Sequence, residues 1–67
     1  MSKILTKREK EIFSLLIKDY STKQISEELC ISEKTVRNHI SNVIQKLGVS
    51  SRIQAVLELL RMKEIEL

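Results

Sequence analysis

Apolar residues recur along this chain at the three- and four-residue spacing of helices that bury one face. Four such segments are visible: Ile12, Phe13, Leu15 and Leu16; then Ile25 and Leu29; then Val36, Ile40, Val43 and Leu47; then Ile53, Val56, Leu57 and Leu60, with Ala55 and Leu59 beside them. The absence of proline, a single glycine and many Leu, Ile, Glu and Lys favour helix throughout. The pattern predicts an all-α fold of four helices over about 7–19, 22–29, 33–47 and 52–62.

The boundaries carry matching signals. Thr6 and Glu9 have capping-box spacing, in which the hydroxyl takes the amide three residues on and the carboxylate reaches back. Asp19-Tyr-Ser reads as a turn. Ser21 or Thr22 caps the second helix, and Ser32 caps the third. Gly48 supplies a left-handed stop, with Val49 folding back on the last turn. Ser51 and Gln54 form a second capping box. Residues 1–5 read as a short lead, and Arg61, Lys63, Glu64 and Glu66 as a mixed polar tail. One side of the fourth helix is expected to pack on the first.

The third segment carries the chemistry. At about 100° per residue, Val36, Ile40, Val43 and Leu47 fall within about 40° of one stripe. The opposite face carries Lys34, Asn38, Ser41 and Gln45, with Asn42 beside it; Arg37 and His39 flank the stripe. A helix lined with amides, hydroxyls and cations on one face suits a DNA major groove. Upstream, small Ser26, turn residue Cys30 and apolar Val36 have the offsets of a helix-turn-helix, whose second helix enters the groove while the first crosses the backbone. Arg37 suits guanine and Asn38 adenine, each in bidentate fashion. Thr22 and Lys23 stand at a helix N-terminus, where free amides favour an anion, and are assigned to phosphate. Lys34 and Thr35 suit phosphate or base-edge contacts, and Lys46 a flanking phosphate. His39 reads as a partly buried structural histidine, Tyr20 as a packing residue and Cys30 as a small buried hydrophobe.

Leu5-Thr-Lys-Arg-Glu, Lys23-Gln-Ile-Ser, Ile31-Ser-Glu-Lys-Thr-Val-Arg-Asn-His-Ile, Lys46-Leu-Gly-Val and Ser51-Arg together resemble the helix-turn-helix domain of the LuxR/FixJ transcription regulators. The resemblance runs over nearly the whole chain. It implies sequence-specific binding of double-stranded DNA, with base-reading positions at Arg37, Asn38 and Ser41, and RNA polymerase as a partner at activated promoters. It also implies a homodimer through the fourth helix, which puts Ile53, Val56, Leu57 and Leu60 at the interface. The family often has glycine at Asp19, asparagine at Thr22, alanine at Ser26 and lysine or arginine at Ser41, so the Ser41 contact is expected to be short or water-mediated. The stand-alone form and the ending Glu58-Leu-Leu-Arg-Met are similar to the family's small regulators of late sporulation genes, which act as activators and as repressors. Residues 1–67 are read as one such domain without a receiver or ligand-binding domain, so that regulation would rest on abundance.

Composition narrows the alternatives. The chain has 67 residues, no proline, one glycine, one cysteine and one histidine, with a net charge of +3. A core this small has little stability to spare, and neither an internal disulfide nor an ordinary protein-only metal site can be built to supplement it. Oligomerisation is the remaining support. No cofactor, metal or membrane partner is expected; the free cysteine fits a reducing cytoplasm, and a DNA-binding role would place the protein on the nucleoid. No acid–base pair or glycine-rich phosphate loop suggests an enzyme. The competing reading is a helical protein-interaction module acting on a transcription component; against it, Lys34, Asn38 and Ser41 stand where such a module would carry apolar anchors. The wide apolar surface of the fourth helix has two readings, burial within the monomer or pairing with a second copy, and the family likeness favours the second.

Overall fold

A computed structural model describes residues 4–67. Four helices follow one another: α1 (Lys7–Leu16), α2 (Thr22–Leu29), α3 (Glu33–Leu47) and α4 (Arg52–Arg61). α3 is the centre of the arrangement and packs against each of the other three. Its buried stripe of Val36, Ile40 and Val43 meets Ile12 and Phe13 from α1, Ile25 from α2, and Ala55 and Leu59 from α4. Each fully buried isoleucine, leucine or phenylalanine here contributes about 1.5–3 kcal/mol relative to exposure.

The helix starts follow the expected caps. The Thr6 hydroxyl accepts from the Glu9 amide at 3.1 Å, and Glu9 Oε1 accepts from the Thr6 amide at 2.9 Å. Ser21, not Thr22, caps α2, and Gln24 completes a second reciprocal box. Ser32 caps α3. The box expected at α4 is only half formed. Ser51 accepts from the Gln54 amide, but the Gln54 side chain turns to the amide and hydroxyl of Ser50.

All four helices stop in the same way. A left-handed residue follows each of them, at Asp19 (φ 68), Cys30 (φ 58), Gly48 (φ 69) and Lys63 (φ 60). The next amide then reaches back five residues: Tyr20 to the Leu15 carbonyl, Ile31 to Ser26, Val49 to Ile44 and Glu64 to Leu59. This is the Schellman pattern, and only one of the four sites has the glycine that suits it best.

Several expectations change. α1 ends at Leu16, and residues 17–19 form its closing turn, not further helix. α4 ends at Arg61 and packs chiefly on α3, not on α1. Its buried stripe is Ala55 and Leu59, which leaves Ile53 and Leu57 outside. Leu5 belongs to the core, so the lead is not merely a lead; residues 1–3 of it lie outside the described residues. Ile65 is buried within the expected polar tail. The segment around it borders a shallow cleft with Lys10, Ser14 and Lys18 of α1 and its closing turn. Cys30 is exposed, because its left-handed backbone turns the side chain out at the end of α2; it is a turn residue and not a buried hydrophobe. No described helix is long and apolar enough to cross a membrane.

Candidate nucleic-acid interface

α2 and α3 are joined by Cys30, Ile31 and Ser32 alone. Ser26 is buried where the two helices meet, and its hydroxyl is turned onto the Lys23 carbonyl at 2.7 Å. A larger side chain there would separate the helices. Val36 is fully buried from the other side. The trio read from the sequence thus works as a hinge clamp, except that Cys30 acts through its backbone.

α3 presents a continuous polar face. Lys34, Asn38, Ser41, Asn42 and Gln45 are exposed on the side away from the buried stripe, and Arg37 is exposed at its flank. Asn42 and Gln45, placed on this face by spacing but given no contact in the sequence reading, are as open as Asn38. Arg37 lies in a loose ion pair, its guanidinium 3.4 Å from Glu33 one turn earlier. An exposed pair of this kind contributes little and releases its partner readily. Thr35 is half-buried at the helix start, and its hydroxyl accepts from Ser32 Oγ at 2.9 Å, which leaves its own proton for an acceptor outside. His39 is half-buried, as expected of a structural side chain.

At the start of α2, Lys23 is exposed and Thr22 half-buried. The Ser21–Gln24 box occupies the Gln24 amide, so this end offers an anion the amides of Thr22 and Lys23 together with their side chains. Glu27 and Glu28 are exposed on the later part of α2.

Lys46 differs from the other cations. Its ammonium lies 2.6 Å from Glu9 Oε1 and 3.1 Å from the Ile4 carbonyl. Glu9 is only 4% exposed. Burial by itself would push its carboxyl up; the hydrogen bond from Lys46, then the Thr6 amide, the Lys46 charge and the Thr6 hydroxyl together hold it below the ordinary value. The sequence showed Glu9 as a capping residue only. A pair separated by 37 positions leaves no local signature.

On α4, Ile53 is 70% and Leu57 60% exposed, while Val56 and Leu60 are half-buried against the core. Ile53, Val56 and Leu57 share a cleft with Leu16, Ile17 and Tyr20 at the end of α1, so the open apolar surface spans two elements. Among the described residues no group of three or more metal-ligating side chains comes together.

The comparisons with known proteins agree with this geometry. The profile of the bacterial regulatory proteins of the luxR family matches residues 3–59. The chain is 69% identical over 64 residues to the spore germination protein GerE of Bacillus subtilis (strain 168), covering 96% of this chain and 86% of that protein. It is 54% identical over 55 residues to the transcriptional regulatory protein DegU of Brevibacillus brevis, of which the match spans 23%. Among solved structures, that of the transcription factor GerE superposes with a TM-score of 0.94 over 97% of both chains. The response regulator ChrA of a haem-sensing two-component system follows with a TM-score of 0.83 at 33% identity, over 94% of this chain and 31% of that one. With a helix-turn-helix on the page and the family profile running across most of the sequence, the chain belongs to the LuxR family of bacterial regulatory proteins and is a transcription regulator with a LuxR-type DNA-binding domain.

Proposed function

We propose that the protein binds double-stranded DNA as a homodimer, one α3 in the major groove of each of two half-sites. Arg37, Asn38 and Ser41 meet base edges, and Thr22, Lys23, Lys34 and Thr35 hold phosphates. The observation that carries this reading is the exposed polar face of α3 set against a fully buried stripe. Such a helix is fixed in the body and still free to enter a groove. Ile53 and Leu57, with Val56 and Leu60 behind them, form the surface on which two copies pair. One module gives two or three base contacts of about 1–3 kcal/mol each, too few for high selectivity, and a dimer doubles them.

The 69% identity to a Bacillus subtilis spore germination protein, over most of both chains, supports regulation of late sporulation genes, activating some and repressing others. Activation brings RNA polymerase in as a partner at those promoters, and the protein works in the cytoplasm on nucleoid DNA.

Two substitutions test the contact assignment. Arg37→Ala is expected to relax discrimination at one base position by about 1–3 kcal/mol, and Lys23→Ala to weaken binding to all duplexes alike. Binding measured on a panel of single-base site variants checks both, and an exchange of the two behaviours would overturn the assignment.

A further inference from the structure

The pair between Glu9 and Lys46 joins the beginning of α1 to the last turn of the recognition helix, and nothing in the reading above uses it. The start of α3 is already fixed by the short turn from α2. Its far end is held by the packing of Val43, Ile44 and Leu47 on the core, by the connection to α4 through Gly48, and by the Lys46 ammonium, which bridges the Glu9 carboxylate and the Ile4 carbonyl. The carboxylate is fixed in turn by the Thr6 amide, which donates to Glu9 Oε1. It is a buried acceptor whose cationic partner comes from the recognition helix. Lys46 is exposed, yet two of its three donors are already taken by the protein.

We infer that Lys46 is a positioning residue of the DNA-binding helix, not a phosphate contact: bound to Glu9 and the Ile4 carbonyl, it sets the angle at which α3 is held out from the body. The inference rests on the proposal that α3 enters the groove. Base contacts tolerate small displacements poorly, so a helix whose far end is released loses selectivity first. Phosphate attraction depends mainly on charge and is retained.

The two roles of Lys46 predict opposite results for its partner. Glu9→Gln keeps the capping box, because glutamine serves at that position as well as glutamate does, and removes the charge that holds Lys46. The test uses the full chain and two duplexes: the one it enriches from a random library, and one of scrambled sequence. Affinity for each is measured across a range of salt, below the melting temperature of every variant.

A positioning role predicts that Glu9→Gln binds the enriched duplex roughly five- to tenfold more weakly and the scrambled duplex unchanged. The slope of log affinity against log salt should stay that of the wild type, since no phosphate contact is lost. Lys46→Gln should show the same loss of selectivity, and the double variant little more than either single one. A phosphate role predicts that Glu9→Gln, by freeing the ammonium, binds both duplexes as well as or better than the wild type. Lys46→Gln would then lower the slope by about one for each contact removed. That pattern overturns the inference. Glu9→Gln decides by itself should Lys46→Gln fail to fold. A wild type that enriches no duplex would remove the DNA reading and this inference with it, whereas an enriching wild type beside an unaltered Glu9→Gln removes the inference alone.

Discussion

α3 and α4 each bury one stripe in the same core and leave the opposite face uncovered, but the two uncovered faces differ in kind. On α3 the open positions are Lys34, Arg37, Asn38, Ser41, Asn42 and Gln45, and on α4 they include Ile53 and Leu57. The polar face is satisfied by water and costs nothing while it waits, and it can exchange those bonds for base edges when DNA arrives. The apolar face costs free energy until something covers it. In the function proposed above the two faces divide the labour: one helix gives the specificity, the other gives the copy number, and both depend on the core between them.

The largest effect is expected where the apolar face is broken. A buried leucine contributes about 1.5–3 kcal/mol, and a two-fold interface contains it twice. Leu57→Asp is therefore expected to raise the dimer dissociation constant at least about a hundredfold. Helical content should be unchanged, because the side chain is largely outside the monomer core. Sedimentation with circular dichroism checks this; a folded variant that remains dimeric would remove α4 from the interface.

Breaking the polar face should act differently. Asn38→Ala is expected to leave the dimer and the stability within about 0.5 kcal/mol, as for other exposed positions. It should cost about 1–3 kcal/mol of discrimination at one base pair, measured by competition between duplexes that differ there.

Acid separates both faces from the seam that holds them. Neither Ile53 and Leu57 nor Asn38 and Ser41 titrates, but Glu9 does. Its carboxyl is held below the ordinary 4.5 in the fold. The stability it contributes is therefore complete above about pH 4.5 and is lost as pH falls through the lower folded value. Denaturant midpoints followed from pH 7 to 3 should fall for the wild type with a component that Glu9→Gln lacks.

The smallest effects concern the helix stops, which both faces share. Adding a side chain at Gly48 meets nothing within 4 Å, so the cost of Gly48→Ala is that of the left-handed backbone alone, about 1 kcal/mol. Lys63→Gly should gain up to about the same amount. For a chain of this size either change moves the thermal midpoint by roughly 4–8 °C per kcal/mol, in opposite directions.

Much of this was legible because it is local. Thr6 with Glu9 and Ser32 ahead of the Val36 stripe announce helix starts within four residues, and the periodicity of Val36, Ile40 and Val43 identifies both faces of α3 at once. The misreadings of the two chain ends and of α4 share one cause, which is contact between residues distant in sequence. Leu5 and Ile65 lie beyond their helices and enter the core only because the fold brings them over it. On α4 Ile53, Ala55, Val56, Leu57, Leu59 and Leu60 are all apolar, so spacing could not decide which would face α3; Ala55 and Leu59 do. Cys30 was judged by its residue type, while the left-handed backbone at that position decides its exposure. The partnership of Lys46 with Glu9 was not legible either, because it joins residues 37 positions apart.

The most direct test of the division of labour is selection of sites from a random duplex library at near-physiological salt, run in parallel with the wild type and Leu57→Asp. The account predicts two related half-sites at fixed spacing for the wild type, and for Leu57→Asp a single half-site, enriched more weakly and with no spacing preference. Paired half-sites from a monomeric variant would contradict the role given to α4. Absence of any enriched sequence from the wild type would contradict the role given to α3.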